Sequence, residues 1–222
     1  MTAWLPFAGF AVLLTGALVA LTRASADGLD VGDGDELSSS SLLLRVTSSQ
    51  AVFAVLVVAA AYLADVPWSA LGTGASLELA AVGVAAGLAL AAGNEAAMRV
   101  LDAAGLGYDD DLRETLTPDD RRGWVVLFVV ALPVVAGFEE LLFRGVLVGA
   151  FATGFGVSPW ALAVASSAVF GAAHTAQGWV GVVVTTALGF ALATAYVATG
   201  SLLAVFLAHY VVNAAEFALH AR

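Results

Sequence analysis

Residues 124–152 read WVVLFVVALPVVAGFEELLFRGVLVGAFA, and this stretch decides the fold. It is apolar apart from Glu139, Glu140 and Arg144. About 20 such residues suffice for a helix to cross a bilayer, so we expect a long transmembrane helix here, with a kink at Pro133. Each charged residue at the bilayer centre costs about 2.5–3.5 kcal/mol, or on the order of 8–10 kcal/mol for three. A helix that only had to cross the bilayer would avoid that cost. We therefore expect these charged residues to face a cavity lined by protein.

The composition of the whole chain is that of a membrane protein. Of its 222 residues, 61% are hydrophobic and 12% are charged, whereas soluble domains average about 45–50% and about 25%. The net charge of −10 argues against a nucleic-acid partner. Because there is no cysteine, thiol catalysis, disulfides and cysteine metal sites are excluded.

The apolar blocks predict an all-α fold, a polytopic integral membrane protein with about seven transmembrane helices. The fifth block is too short to cross a bilayer upright, so we expect it to be tilted, buried or re-entrant. Residues 1–123 would hold the first three helices and two acidic loops, 23–45 and 99–122. The seven predicted segments are residues 3–21, 46–64, 77–97, 124–152, 159–173, 179–199 and 202–219.

The arginines predict the orientation in the membrane. With seven spans, every arginine outside residues 124–152 falls on the same face. Since basic residues favour the cytoplasmic side, we expect the N-terminus outside the cell membrane and the C-terminus, with both acidic loops, in the cytoplasm. These arginines are Arg23, Arg45, Arg99, Arg113, Arg121, Arg122 and Arg222.

Helix geometry separates the roles of the three charged residues. Glu140 and Arg144 are four residues apart, so they can form an ion pair on one face of the helix. Such a pair lowers the burial cost of both groups. Glu139 points about 100° away from Glu140, so we expect it to face another helix or water. A purely structural ion cluster is the alternative interpretation.

Two later segments add polar residues. His174 ends the fifth segment, with Phe170 one turn before it, and His209 and Asn213 share one face of the seventh. Each has a plain structural explanation, as a buried histidine or as a hydrogen-bonding pair between helices. Together with Glu139 they are the components of a water-activating hydrolase: a general base and hydrogen-bond donors for an oxyanion. Glu139, His174 and His209 are also zinc ligand types, so the sequence leaves both mechanisms open.

In order and spacing, these residues resemble the CPBP family of membrane proteins, the CAAX prenyl protease and bacteriocin-processing family. Glu139, Glu140 and Arg144 match its EExxxR motif, while the FxxxH and HxxxN motifs are matched by Phe170 with His174 and by His209 with Asn213. The resemblance covers residues 124–218, which would then be the catalytic core.

The resemblance implies an intramembrane endopeptidase that acts on a membrane-associated protein or peptide, with prenylated CAAX proteins as the best-known substrates. Glu139 and His174 would activate water, and His209 and Asn213 would stabilise the oxyanion. Glu140, Arg144 and Phe170 would support the site. We favour this mechanism, which requires no cofactor, over one with a divalent metal such as zinc on Glu139, His174 and His209.

Two other functions fit an apolar chain with these residues. One is a non-catalytic membrane partner, such as a bacteriocin-immunity protein, and the other is a solute or proton transporter.

The peptidase interpretation also has a geometric requirement. On the predicted boundaries, His174 and His209 differ in depth by roughly 10 Å, so helix tilt or a recessed turn after His174 has to bring them together.

Overall fold

The computed structural model describes residues 2–29, 38–106 and 111–220, and within them the chain is helical, without β-strands. This confirms the predicted all-α fold. Parts of both predicted acidic loops, residues 30–37 and 107–110, lie outside the described residues. The helices are α1 (Trp4–Leu29), α2 (Ser39–Leu63), α3 (Leu77–Ala103), α4 (Asp111–Leu116), α5 (Arg121–Phe155), α6 (Pro159–Ala172), α7 (Gly178–Thr199) and α8 (Leu202–His220).

Six of the described helices are long and apolar enough to cross a membrane, which supports an integral membrane location. They are α1, α2, α3, α5, α7 and α8. The predicted count of seven is close, because the remaining apolar segment forms α6. This helix has only 14 residues, about 21 Å of helix. It is therefore too short to span upright, as the sequence indicated.

Helix α5 is the central element of the fold. It begins where the Asp120 side chain accepts a hydrogen bond from the Gly123 amide at 2.7 Å, and it ends at Gly156, whose φ of 66° suits glycine. Two π-helical segments, Leu127–Ala131 and Leu141–Ala150, interrupt its α-helical hydrogen bonding. The first lies just before Pro133, which has no amide proton to donate to the preceding turn.

The second π-helical segment contains Arg144, and it follows directly on Glu140. Such segments are rare and occur often at functional sites. Here the segment widens the helix immediately after the two glutamates.

Small residues let α3 pack closely on α8. A Cβ at Gly87 would lie 2.8 Å from the Ala208 carbonyl oxygen, and Gly83 contacts the Ala204 backbone in the same way. Gly83 and Gly87 form a GxxxG pair, a pattern that commonly brings membrane helices into close contact. The contact sets the position of α8, and therefore of His209 and Asn213.

Helices α5 and α6 are joined by polar and aromatic contacts. The Ser166 hydroxyl donates to the Phe143 carbonyl at 2.7 Å, and the Phe143 and Phe170 rings meet edge to face with centroids 4.9 Å apart. All three side chains are buried. These contacts hold the end of α6 against the charged part of α5.

We expect Gly87→Ala to lower stability by about 1–3 kcal/mol, because the added methyl group meets the α8 backbone. Gly93→Ala is the matched control on the same helix, since a Cβ there has nothing within 4 Å. It should leave stability unchanged or raise it by about 0.5–1 kcal/mol. Thermal unfolding in one detergent, followed by tryptophan fluorescence, measures both. Equal effects of the two substitutions would contradict the α3–α8 packing.

Candidate active site

The buried ion pair on α5 is the first component of the site. Arg144 Nη1 donates to Glu140 Oε1 at 2.8 Å, and both side chains are 0% exposed. The predicted pair is therefore confirmed. Glu140 Oε2 and Arg144 Nε have no hydrogen-bond partner among the described residues, so the pairing only partly offsets the cost of burial.

Arg144 also connects α5 with α6 and α7. Its Nη2 donates to the Gly189 carbonyl at 2.7 Å, and its guanidinium carbon lies 4.7 Å from the centre of the Phe170 ring. The second contact is a cation–π interaction. One side chain thus orients three helices around the pair.

His209 reaches both glutamates from α8. Its Nδ1 lies 2.7 Å from Glu140 Oε1, and its Nε2 lies 3.7 Å from Glu139 Oε2. Helix geometry predicted that the two glutamates would point in different directions. The two carboxylates do point in different directions, and each faces a different nitrogen of the His209 ring. The sequence contains no signal for this contact, because it depends on where α8 lies against α5.

The Glu140 contact determines which nitrogen of His209 carries a proton. Because a carboxylate only accepts hydrogen bonds, the short contact requires a proton on Nδ1. In the neutral ring, Nε2 is then unprotonated and faces Glu139. This relation, a carboxylate orienting a histidine, is common at catalytic sites.

His174 lies in the turn between α6 and α7. Its Nδ1 donates to the Phe170 carbonyl at 2.8 Å, so in the neutral ring Nε2 is a hydrogen-bond acceptor. The Phe170 ring lies close to both histidines, with its centroid 4.6 Å from the ring centroid of His174 and 6.0 Å from that of His209. His174 and His209, which the sequence placed at different depths in the membrane, therefore lie near the same aromatic ring. Helix α6 ends at Ala172, and the turn Thr175–Gln177 lies beside the same cavity as His209.

A cavity of about 640 Å³ brings the four predicted catalytic residues together. Glu139, His174, His209 and Asn213 line it, as do the aromatic rings of Phe143 and Phe170. Most of the other lining residues are apolar. Glu140 and Arg144 are not among the lining residues, so the ion pair lies behind the wall, while Glu139 faces the cavity.

Other polar residues of the cavity wall were missed from the sequence. The Thr185 hydroxyl donates to the Gln177 side-chain oxygen at 2.9 Å, and both residues line the cavity, as do Ser49, Gln50, Asn94, Arg113 and Glu216. Thr185 and Gln50 lie within apolar segments, where a polar residue is a usable signal. Ser49, Asn94 and Glu216 lie near segment ends and Arg113 lies in a polar loop, where polar residues are ordinary.

The alternative metal set was Glu139, His174 and His209. Within residues 2–29, 38–106 and 111–220, no three histidine, aspartate or glutamate side chains are arranged to hold a metal ion. Nδ1 of His209 is engaged by Glu140, and Nδ1 of His174 by the Phe170 carbonyl. These bonds leave Nε2 of each neutral ring as the unprotonated nitrogen, which is the arrangement common among metal-ligating histidines.

Comparison with known proteins finds a family model that is similar to the region that carries these residues. Residues 121–215 match the family model described as type II CAAX prenyl endopeptidase, Rce1-like. This range includes all three motifs and confirms the resemblance to the CPBP family. No curated protein and no solved structure matches the chain.

We expect Arg144→Gln to lower stability by about 3–5 kcal/mol, because it leaves Glu140 buried without its cation. Arg99→Gln is the matched control, since Arg99 also pairs with a glutamate four residues away, at 2.7 Å, but its side chain is 77% exposed. The control should unfold at the wild-type temperature. Thermal unfolding in detergent measures both variants, and an Arg144→Gln protein as stable as the control would refute the role of the pair.

Proposed function

Because residues 121–215 match the Rce1-like type II CAAX prenyl endopeptidase family, we propose that this chain is an intramembrane endopeptidase. Its substrate is a membrane-associated protein with a C-terminal CAAX-type sequence. The observation that carries the proposal is the cavity on which Glu139, His174, His209 and Asn213 converge from three parts of the fold. Glu139 is the general base, and no metal takes part.

Water activation is assigned to Glu139 and His174. Glu139 Oε2 lies 3.7 Å from Nε2 of His209, beyond hydrogen-bond distance, so the carboxylate can accept a proton from water. In its neutral form His174 presents Nε2 as an acceptor, which can orient that water. A positioned general base of this kind typically accelerates a reaction by 10²–10⁴-fold.

The reaction then proceeds in two steps. The water oxygen bonds to the scissile carbonyl carbon while its proton passes to Glu139, which leaves a tetrahedral intermediate with a negative oxygen. When the carbon–nitrogen bond breaks, Glu139 returns the proton to the leaving amine. The products are a new C-terminal carboxylate and a short peptide with a free amino group.

The oxyanion is stabilised by Asn213 and His209, which lie one turn apart on α8. Asn213 donates through its side-chain amide. His209 can donate through Nε2 when the ring carries a second proton. With Arg144 and both glutamates ionised, the cluster has one net negative charge, and a protonated His209 neutralises it. Glu140, at 2.7 Å from Nδ1, holds the other proton of the ring on that nitrogen.

The surroundings of the site agree with a membrane substrate. The cavity is walled largely by apolar side chains of α1, α2, α5 and α8, which suits a substrate carrying a lipid group. The arginine distribution supports an N-terminus outside the cell and a C-terminus in the cytoplasm. In that orientation, His220 marks the cytoplasmic end of α8.

We expect Glu139→Gln to reduce cleavage of a prenylated CAAX-type peptide by 10²-fold or more, because the amide cannot take a proton from water. Purified wild type and variant are compared in liposomes by mass spectrometry, with folding checked by thermal unfolding. Glu78→Gln is the control, since Glu78 is exposed in the first turn of α3. Equal cleavage by Glu139→Gln and wild type would refute the assignment. If wild type cleaves no peptide, the non-catalytic partner becomes the better explanation.

Metal chelation tests the mechanism separately. We expect 1,10-phenanthroline and EDTA to leave the cleavage rate unchanged, because Glu139 and His174 suffice to activate water. The same preparation is analysed for zinc by mass spectrometry. Loss of activity with chelator and its recovery on adding zinc would instead establish a metal mechanism.

A further inference from the structure

A second polar cluster lies on the wall of the same cavity, seven residues beyond His209 on α8. Arg113 of α4 donates from Nη1 to Glu216 Oε1 at 2.7 Å. Asn94 of α3 donates to the other oxygen of Glu216 at 3.4 Å. All three side chains line the cavity. The cluster thus joins α3, α4 and α8, and the function proposed above assigns it no role.

Arg113 supplies a positive charge on the cavity wall. Among the described residues that line the cavity it is the only arginine, and the chain has no lysine. Its side chain is 14% exposed. A guanidinium has five N–H donors in a planar fork that matches a carboxylate, so one arginine can bind several partners at the same time. The contact with Glu216 therefore orients the cation at the cavity wall.

The distance between the two clusters matches a short peptide. His209 and Glu216 are seven residues apart on one helix, which corresponds to a rise of about 10.5 Å. Three extended residues span roughly 10–11 Å. A peptide whose scissile carbonyl lies beside His209 and Asn213, and which runs along α8, would bring its third following residue to Arg113.

We propose that Arg113 binds the C-terminal carboxylate of the substrate and so selects the bond three residues from the chain end. Glu216 and Asn94 are positioning residues that hold the guanidinium. This inference rests on the proposed peptidase function and deepens it. It explains why an arginine lies on the wall of a largely apolar cavity.

The test compares two prenylated peptides that differ only in their C-terminus, a free carboxylate or a carboxamide. For wild type we expect kcat/KM to be about ten- to a hundredfold higher for the carboxylate peptide, the range of a charge-assisted hydrogen bond. In Arg113→Gln the ratio should fall to about one, because the carboxylate peptide loses its partner. A wild type without preference, or an Arg113→Gln protein that keeps it, would overturn the proposal.

Two further variants separate carboxylate binding from folding. Arg99→Gln removes an exposed arginine that also forms a 2.7 Å pair with a glutamate but does not line the cavity, so it should keep the wild-type ratio. If Arg113→Gln unfolds because Glu216 loses its partner, the double variant Arg113→Gln/Glu216→Gln removes both charges. It should fold and show no preference, and a preference retained in that folded variant would count against the proposal.

A binding measurement distinguishes failure of this proposal from failure of the peptidase function. Fluorescently labelled forms of both peptides are titrated with Glu139→Gln, with and without Arg113→Gln, by anisotropy. Tighter binding of the carboxylate form, lost with Arg113→Gln, supports the assignment even if wild type cleaves neither peptide. Equal binding of both forms overturns the assignment even if wild type cleaves them.

Discussion

The buried ion pair between Glu140 and Arg144 is the interaction on which the rest of the site depends. Two ionised side chains with no exposure in a membrane protein are costly, so each has to be satisfied by protein groups. Arg144 meets that requirement through the Gly189 carbonyl and the Phe170 ring, and Glu140 through His209. The need to compensate two charges therefore draws α5, α6, α7 and α8 together.

The same helix geometry gives the two adjacent glutamates different surroundings. Because Glu139 and Glu140 are adjacent on a helix, they point about 100° apart, so one enters the ion pair and the other faces the cavity. His209 faces both glutamates and links the buried ion pair to the carboxylate of Glu139. Removing a charge from the pair would thus disturb folding first, whereas changing Glu139 acts on the cavity.

Much of the architecture could be predicted from the sequence. Hydropathy alone located the membrane helices and identified α6 as too short to span, and the spacing of Glu140 and Arg144 predicted their pairing. The three motifs, in their order along the chain, were enough to indicate the resemblance that the family model over residues 121–215 supports. The π-helical segments were not predictable, because they depend on how α5 packs and not on a periodic pattern. Arg113 looked like an ordinary charge in a polar loop, and only the packing of α4 shows that it lines the cavity.

The sequence by itself determined the membrane helices, the ion pair and the identity of the catalytic candidates, because hydropathy and helical spacing act over a few neighbouring residues. Only the tertiary structure decided which polar groups meet. The contact of His209 with both glutamates, the approach of the Phe170 ring to His209, and the place of Arg113 on the cavity wall all join residues far apart in the chain. Such contacts depend on how helices pack, through surfaces such as the Gly83 and Gly87 face of α3, and a local pattern carries no information about the partner helix.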